Sequence, residues 1–409
     1  MFRRHHHLFH RHLKNSRSAD PIKKFYLASL LHDLGAQMLS LFVLFHLYQL
    51  GYSLPVIAGY FLAFILLRPA CQYLGTAGVL KFSIQKVIIV SSILKIGFTV
   101  ALFSLGAPSI FGYGLLALTV MLDAASFWIY YLVWDIYFTD LQDERRSGRL
   151  ISLAWIVTAA ASFLAPLAGG LLAQFFGFKL SLAAAAVLLL LSVTPLLLIK
   201  RQQLVFSDLR LGEIMSPGKT RQLFKRIPKR GLMACMISFL IPNIILPLWL
   251  LYLAAAVFVD EAYGGLGIIA AVSSVLAIAI SLLTGRLIDK GRYRGILHAG
   301  TWSEMLFGGL RFFVTGVPSA AAHNLLWQQS SHNIVAYEWY FEQAREKADR
   351  LAFFQMYSYC QTVVHGLLLA LLIVSLLIFS AHQLEVLQIA CIVTACFAPL
   401  ILGLRIKQG

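Results

Sequence analysis

The sequence predicts an all-α integral membrane protein with about twelve transmembrane helices, arranged as two six-helix bundles related by a pseudo-twofold repeat. Composition, the number of apolar stretches and a repeated set of local patterns lead to this prediction. Of the 409 residues, 59% are hydrophobic and only 13% are charged, and the mean hydropathy is +0.77. Soluble domains carry about 25% charged residues. We therefore expect lipid, rather than water, to surround most of the chain.

Twelve apolar stretches are long enough to cross a bilayer, which takes about 20 residues of α-helix. The fourth and tenth are the least regular because both are rich in polar residues. We predict the spans at 25–49, 54–74, 82–105, 110–134, 150–175, 178–199, 232–256, 264–285, 295–315, 318–337, 352–380 and 384–404.

The charges between these spans predict an orientation. Loops after the even-numbered spans hold nearly all the loop Lys and Arg, whereas the loops after the odd-numbered spans hold one basic residue, Lys179. The loop after the seventh span instead carries Asp260 and Glu261. Because basic residues favour the cytoplasmic side, we expect an inner-membrane protein with both termini in the cytoplasm. This distribution accounts for the net charge of +16 without a nucleic-acid partner.

Charge and hydropathy divide the chain into four predicted regions. Residues 1–24 form a basic, histidine-rich cytoplasmic tail that lacks the apolar core of a cleavable signal. We expect this tail to contact anionic lipid, with weak metal binding by its histidines as the alternative. Residues 25–199 form the first six-helix bundle, 200–231 a basic cytoplasmic linker, and 232–409 the second bundle. The five cysteines show no zinc or disulfide spacing, and we expect neither a metal site nor a cofactor.

Some 120 residues of the chain carry the same local patterns twice. Residues 134–138 and 338–341 each close an apolar run and precede a charged stretch that ends in Arg-Leu. Upstream, the Gly-Ala-Pro-Ser of 106–109 matches the Gly-Val-Pro-Ser of 316–319. Two parallel repeats of this kind are typical of secondary transporters, in which the substrate path runs between the halves.

A local motif extends this comparison to a family. Residues 285–295 read Gly-Arg-Leu-Ile-Asp-Lys-Gly-Arg-Tyr-Arg-Gly, which resembles the inner-loop motif of the major facilitator superfamily. The resemblance, with its architecture, covers about 25–405. It implies that Asp289 caps a helix and pairs with arginines such as Arg292 across an inner gate. The first-half counterpart, 75–81, lacks the aspartate, so a pairing of this kind would be present in only one half of the protein.

A second segment, 161–170 in the fifth span, is similar to the Gly-Pro-x-x-Gly-Gly segment that this family's exporters carry. Ala165 replaces the usual glycine before Pro166. The resemblance favours export. Small residues also allow two helix backbones to approach closely, so ordinary tight packing is the alternative explanation.

Ionisable residues within the first and fourth spans are candidates for the solute and proton site, because an ionised side chain in hydrocarbon costs at least about 2.5–3.5 kcal/mol. The resemblance implies that both spans line the cavity. Asp33 is either a proton carrier or a helix-packing residue. Asp123 precedes Tyr130 and Trp134 at helical spacing and suits a proton or a cationic, partly apolar ligand. Equally, Asp123 pairs with Lys95 at similar depth on the third span and is then structural.

The tenth span carries the largest group of neutral polar side chains: Asn324, Gln328, Gln329, His332 and Asn333. Gln328 and His332 lie one helical turn apart and share a face. Five such groups are difficult to satisfy in lipid, so we expect them to face a wet cavity and bind a polar ligand. His332 is also a candidate for proton exchange near neutral pH.

Two acidic residues occupy matching positions in the repeats. Asp135 and Glu338 end the fourth and tenth spans, and each is followed by loop arginines, among them Arg145 and Arg345. We expect inner-gate salt bridges here, with substrate or proton binding as the alternative.

The ninth span carries Glu304 and Arg311 two turns apart, and Lys95 falls within one position of Glu304 when the repeats are overlaid. Because the resemblance makes the third and ninth spans peripheral supports, we expect these residues to form intramembrane structural pairs. Arg68 and His365 are weaker candidates for the site.

The sequence has no nucleotide-binding loop, zinc-protease helix or hydrolase nucleophile elbow, and we expect no enzyme activity. The resemblance implies a monomeric secondary transporter that moves a small organic solute across the bilayer by alternating access. We expect the first, fourth, seventh and tenth spans to line its path, with proton coupling and with export as the favoured direction. A membrane assembly or sensor protein with the same fold but no turnover is one alternative, and a lipid flippase is another.

Overall fold

The computed structural model describes residues 19–141, 147–198, 211–214, 216–259, 262–327, 332–344 and 347–403. Its helices form twelve successive crossing segments, numbered here as spans 1 to 12. Spans 1 to 6 comprise Ala19–Ser40 with Val43–Gln49, Leu54–Leu66 with Arg68–Lys81, Ile84–Ser104, Ile110–Leu141, Ser147–Phe176 and Phe178–Leu197. Spans 7 to 12 comprise Lys229–Leu240 with Ile241–Ile245 and Leu246–Ala256, Ala262–Asp289, Tyr293–Leu310, Val317–Trp327 with His332–Gln343, Lys347–Ile378, and Gln383–Val393 with Thr394–Gly403. The all-α, twelve-helix prediction is confirmed.

Among the described residues, nine helical stretches are long and apolar enough to cross a membrane by themselves. Their outward surface suits hydrocarbon, since Ile110 is 96% exposed, Phe111 78% and Ile378 68%. Span 4, which the sequence marks as polar, is a continuous helix of 32 residues. Span 10 is described over Val317–Trp327 and His332–Gln343. The chain is therefore an integral membrane protein.

Prolines interrupt two spans beside the cavity. Pro69 has no backbone N–H to donate, and the first helix of span 2 ends at Leu66 just before it. In span 7, Pro242 lies within a π-helical turn at Ile241–Ile245, and Pro247 follows that turn. Such a turn re-aims side chains and is frequent at functional sites.

The two halves of the chain touch through glycines in spans 5 and 8. A Cβ added at Gly170 would collide with the carbonyl oxygen of Tyr263, and one at Gly267 would collide with that of Pro166. Backbones approach this closely only where side chains are absent. Gly170 and Gly267 therefore permit tight packing between the halves.

Spans 2 and 11 form the second contact between the halves. Thr362 Oγ1 donates to the carbonyl of Ile65 at 3.3 Å, and Gln355 Nε2 donates to the carbonyl of Pro69 at 3.1 Å. These bonds connect the break in span 2 to the opposite half.

The segment between spans 6 and 7 contributes a short helix, Pro217–Arg226. Lys219 and Arg226 lie 3.1 and 3.7 Å from the carboxylate of Asp349 at the start of span 11. We call this end of the molecule, where the even-numbered spans finish, the basic end, and the opposite end the far end.

Candidate functional site

A cavity of about 450 Å³ lies between the two halves of the protein. Small-molecule sites occupy roughly 300–1,000 Å³, so this space suits a small organic ligand. Its wall is largely aromatic, with contributions from both halves: Phe64, Phe127, Trp128, Tyr130, Tyr131, Trp134, Phe239, Tyr337, Tyr340, Phe341 and Tyr357.

Among the described residues, the charged side chains of the cavity wall all come from the first half of the chain: Asp33, Arg68, Lys95, Asp123 and Asp135. The second half supplies neutral polar groups: Asn243, Ser273, Ser274, Asn324 and Gln361. The wall is therefore electrostatically asymmetric.

Lys95 and Asp123 form a salt bridge on this wall. Lys95 Nζ lies 2.6 Å from Asp123 Oδ1, and the Tyr60 hydroxyl donates to Asp123 Oδ2 at 2.9 Å. The two charged side chains are only 5% and 14% exposed. Both carboxylate oxygens thus have a donor, and each charge compensates the other. Of the two alternatives that the sequence left for Asp123, the structure displays the pair, and it places Lys95 at the cavity rather than at the periphery.

Asp33 lines the cavity from span 1 and is 8% exposed. Its neighbour His32 stacks on the ring of Tyr130, with centroids 3.7 Å apart and planes 8° apart. The ring face of Tyr130 is thus occupied by an imidazole. Trp134 lies further towards the basic end, 6.5 Å from Phe341 of the other half between ring centroids.

At the basic end of the cavity, a hydrogen bond joins spans 4 and 10. The Tyr340 hydroxyl donates to Asp135 Oδ2 at 3.0 Å. Glu338, the repeat counterpart of Asp135, is 5% exposed and does not line the cavity. Arg292, assigned to the same gate by resemblance, is exposed. The described contact between the halves here joins a tyrosine and a carboxyl. The predicted salt bridges to Arg145 and Arg345 stay predictions, because both arginines lie outside the described residues.

Several predicted site residues lie outside the described part of the chain. These are Arg145, Gln328 and Arg345, together with the side chains of Asp289 and His332. Their assigned roles stay predictions.

The described polar residues of span 10 divide between two environments. Asn324 lines the cavity, and its Nδ2 donates to the carbonyl of Ala320 at 2.9 Å. Asn333 accepts a hydrogen bond from Ser238 Oγ of span 7 at 2.9 Å. Asn324 thus lies at the cavity wall, whereas Asn333 joins two helices of the same half.

Glu304 and Arg311 form a pair inside the second half. Arg311 Nη2 lies 3.5 Å from Glu304 Oε1, and Arg311 Nη1 donates to the carbonyl of Cys391 at 2.5 Å. Both side chains are at most 1% exposed, and neither lines the cavity. His365 is also buried, with Nε2 3.2 Å from the carbonyl of Met236.

Arg68 holds a more central place than the sequence suggests. It lines the cavity at the break in span 2 and is 7% exposed. Its guanidinium lies over the Trp128 ring, 4.3 Å from the centroid, and Nη1 donates to Gln361 Oε1 of span 11. The available sequence signal was an arginine next to Pro69 inside an apolar run.

At the far end, Tyr263 of span 8 connects the halves beyond the cavity. Its hydroxyl donates to Gln49 Oε1 at 2.6 Å and lies 3.2 Å from His46 Nδ1, both on span 1. Its ring stacks on Phe178 at a centroid distance of 5.5 Å. Nearby, the Gly264 N–H donates to Gln174 Oε1 at 3.4 Å. Sequence reasoning missed this group because its members are separated by up to 217 positions.

No protein-family model matches the sequence, and no curated protein sequence matches it. Solved structures match over nearly the whole chain. The nucleoside transporter NupG matches with a TM-score of 0.63 at 12% identity, over 94% of this chain and 97% of its own. The fucose:proton symporter FucP of E. coli gives 0.61 at 16%, over 94% and 98%. A peptide transporter, POT, gives 0.65 at 11%, over 93% and 92%. The chain therefore has the fold of major facilitator transporters, as the resemblance at 285–295 predicted.

Proposed function

We propose that this protein is a secondary transporter that moves a small organic solute across the membrane by alternating access. The observation that carries the proposal is the cavity of about 450 Å³ between the two halves, lined by both and bearing buried charges within the membrane. Charged groups at such depth mark solute and ion pathways. The proteins that share the fold are, by description, transporters of nucleosides, fucose with protons, and peptides.

Two of the contacts between the halves are suited to act as gates. The Tyr263 group lies beyond the cavity at the far end, and the Asp135–Tyr340 hydrogen bond lies at the basic end. In alternating access, the halves rock around a fixed site. Rocking that parts one of these contacts opens the cavity to one side of the membrane while the other contact holds.

We assign proton exchange to Asp33 rather than Asp123. Asp123 is compensated by Lys95 at 2.6 Å, whereas Asp33 has no basic side chain within 4.0 Å among the described residues. A carboxyl that is buried without a cation holds a proton more readily than one in an ion pair. We place the basic end in the cytoplasm and the direction as export, on the loop charges and the 161–170 segment.

The test is flux in reconstituted vesicles that contain a pH-sensitive dye and a panel of small organic solutes. We expect at least one solute to drive proton movement. Asp33→Asn should abolish the proton movement while leaving solute exchange, because the cavity keeps its shape but loses a titratable group. Glu385→Gln, the same chemical change at an exposed far-end residue, should have no effect.

Two results would count against the proposal. Folded protein that moves none of the solutes would favour the assembly or sensor alternative. Proton movement that persists unchanged in Asp33→Asn would reject that residue as the proton carrier and leave transport itself standing.

A further inference from the structure

Arg68 carries a buried positive charge that Asp135 influences electrostatically, but no described carboxylate forms a salt bridge with it. Its side chain is 7% exposed and lies midway along span 2, between Leu54–Leu66 and the helix that it begins. Among the described residues, no carboxylate oxygen lies within 4.0 Å of its guanidinium. The other cation of the cavity, Lys95, is paired with Asp123 at 2.6 Å. An arginine at this depth without a salt-bridge partner is costly, and a bound anion would offset that cost.

The contacts of Arg68 leave much of its hydrogen-bonding edge available. The flat face of the guanidinium rests on Trp128 at 4.3 Å and lies 5.8 Å from the Tyr357 ring centroid. Nη1 donates to Gln361 Oε1, and Nε has no hydrogen-bond partner. A guanidinium has five N–H donors, and its stacking on an aromatic ring uses none of them. The remaining N–H donors of Arg68 are available to hydrogen-bond a ligand in the cavity.

Asp135 is the nearest competitor along the same wall. Its Oδ2 accepts the Tyr340 hydroxyl at 3.0 Å, and its oxygens lie beyond 4.0 Å of the Arg68 nitrogens. The carboxyl of Asp135 is thus engaged by the opposite half at the basic end. It therefore forms no salt bridge with the guanidinium of Arg68.

We propose that the transported solute is an organic anion whose carboxylate is held by Arg68 and whose apolar body lies against the aromatic wall. The inference rests on the proposed transport function and adds a substrate class to it. The planar fork of arginine matches the two oxygens of a carboxylate. The aromatic side chains around the cavity and its volume of about 450 Å³ favour an aryl or short alkyl body.

Binding to the purified protein tests this proposal without requiring transport. The probes are phenylacetate, 3-phenylpropionate and 4-phenylbutyrate, each compared with its carboxamide and with the corresponding amine by calorimetric titration. We expect at least one carboxylate to bind about ten- to a hundredfold tighter than its carboxamide, as is usual when a hydrogen-bonded charge is exchanged for a neutral group. The amine should bind more weakly than both.

Variants then assign the preference to Arg68. In Arg68→Gln, the ratio of carboxylate to carboxamide affinity should fall to near one. Arg68→Lys keeps the positive charge but loses the planar guanidinium, so it should retain part of the preference for the carboxylate. It also replaces Arg68→Gln as the test variant if Arg68→Gln does not fold. Arg221→Gln, the same change at an exposed residue of the Pro217–Arg226 helix, should leave the ratio unchanged. A purely structural role of Arg68 would shift both affinities together and leave their ratio intact.

The outcomes for the substrate class and for transport are separable. No carboxylate preference in any of the three series, or a preference for the amines, overturns the assignment of Arg68, even if vesicles transport other solutes. A preference that depends on Arg68 supports the assignment, even if the vesicle experiments find no flux and so reject the proposed transport.

Discussion

A disulfide across the far end should lock the protein in one state. A Cβ built on Gly264 would lie 3.8 Å from the Cβ of Gln174, which is about the mean separation in a disulfide. The variant Gln174→Cys/Gly264→Cys, in a chain whose five native cysteines are replaced, should therefore form the bond on mild oxidation. The bond would join span 5 to span 8, one from each half.

Two measurable effects should follow from this crosslink. The two positions are 90 residues apart, and closing a loop of that length stabilises the folded state by about 4–5 kcal/mol in the chain-entropy model. Solute flux should fall to background on oxidation, because the far end can no longer part, and should return with a reductant. Thermal unfolding and vesicle flux, each with and without reductant, measure the two effects.

The controls are the two single-cysteine variants under the same oxidant, which should keep both their flux and their stability. A bond that forms fully, as judged by mass spectrometry, while flux continues would refute the assignment of spans 5 and 8 to a gate. Failure of the bond to form would refute the close approach of these helices at the far end.

Three further predictions concern stability, measured as the free energy of unfolding in detergent. Asp123→Asn should cost about 3–5 kcal/mol, because it leaves a buried ammonium uncompensated, and the added change Lys95→Met should recover most of the loss; additive losses would contradict the pairing. Gly170→Ala should cost about 1–3 kcal/mol, since its new methyl group meets the backbone of span 8, whereas Gly59→Ala has open space and should cost nothing; equal effects would argue against the contact. Arg311→Met should cost about 3–5 kcal/mol, because a buried carboxylate loses its cation, and an unchanged unfolding profile would contradict this account.

Hydropathy and loop charge predict most of the fold, because each crossing needs its own apolar run whatever its neighbours are. They do not predict where a helix breaks inside a run. Pro69 gives that information for span 2, and Pro242 with Pro247 gives it for span 7. The site depends on both breaks, since Arg68 and Asn243 lie directly beside them and line the cavity.

The sequence predicts depth in the membrane better than it predicts the direction in which a side chain points. Lys95 and Asp123 lie at similar depth, which left a pair and a ligand site equally open, and only the packing of spans 3 and 4 distinguishes them. Tyr263 was not identified at all. Its partners Gln49 and His46 are more than 200 positions away, and such contacts depend on how the two halves meet.

The sequence repeat predicts that residues at matching positions in the two halves have the same role. In the structure, such residues have different roles. Lys95 and Glu304 nearly coincide when the repeats are overlaid, yet Lys95 faces the cavity with Asp123 while Glu304 is buried with Arg311 in its own half. A cavity with two equivalent charged walls would hold a solute in two equivalent orientations. In this cavity the charges lie in one half, opposite a neutral wall. A solute with one charged end and one apolar end can therefore bind in a single orientation. Under the proposal that the solute is an organic anion, the divergence of the repeats gives this cavity a direction, and Arg68 is the residue on which that direction depends.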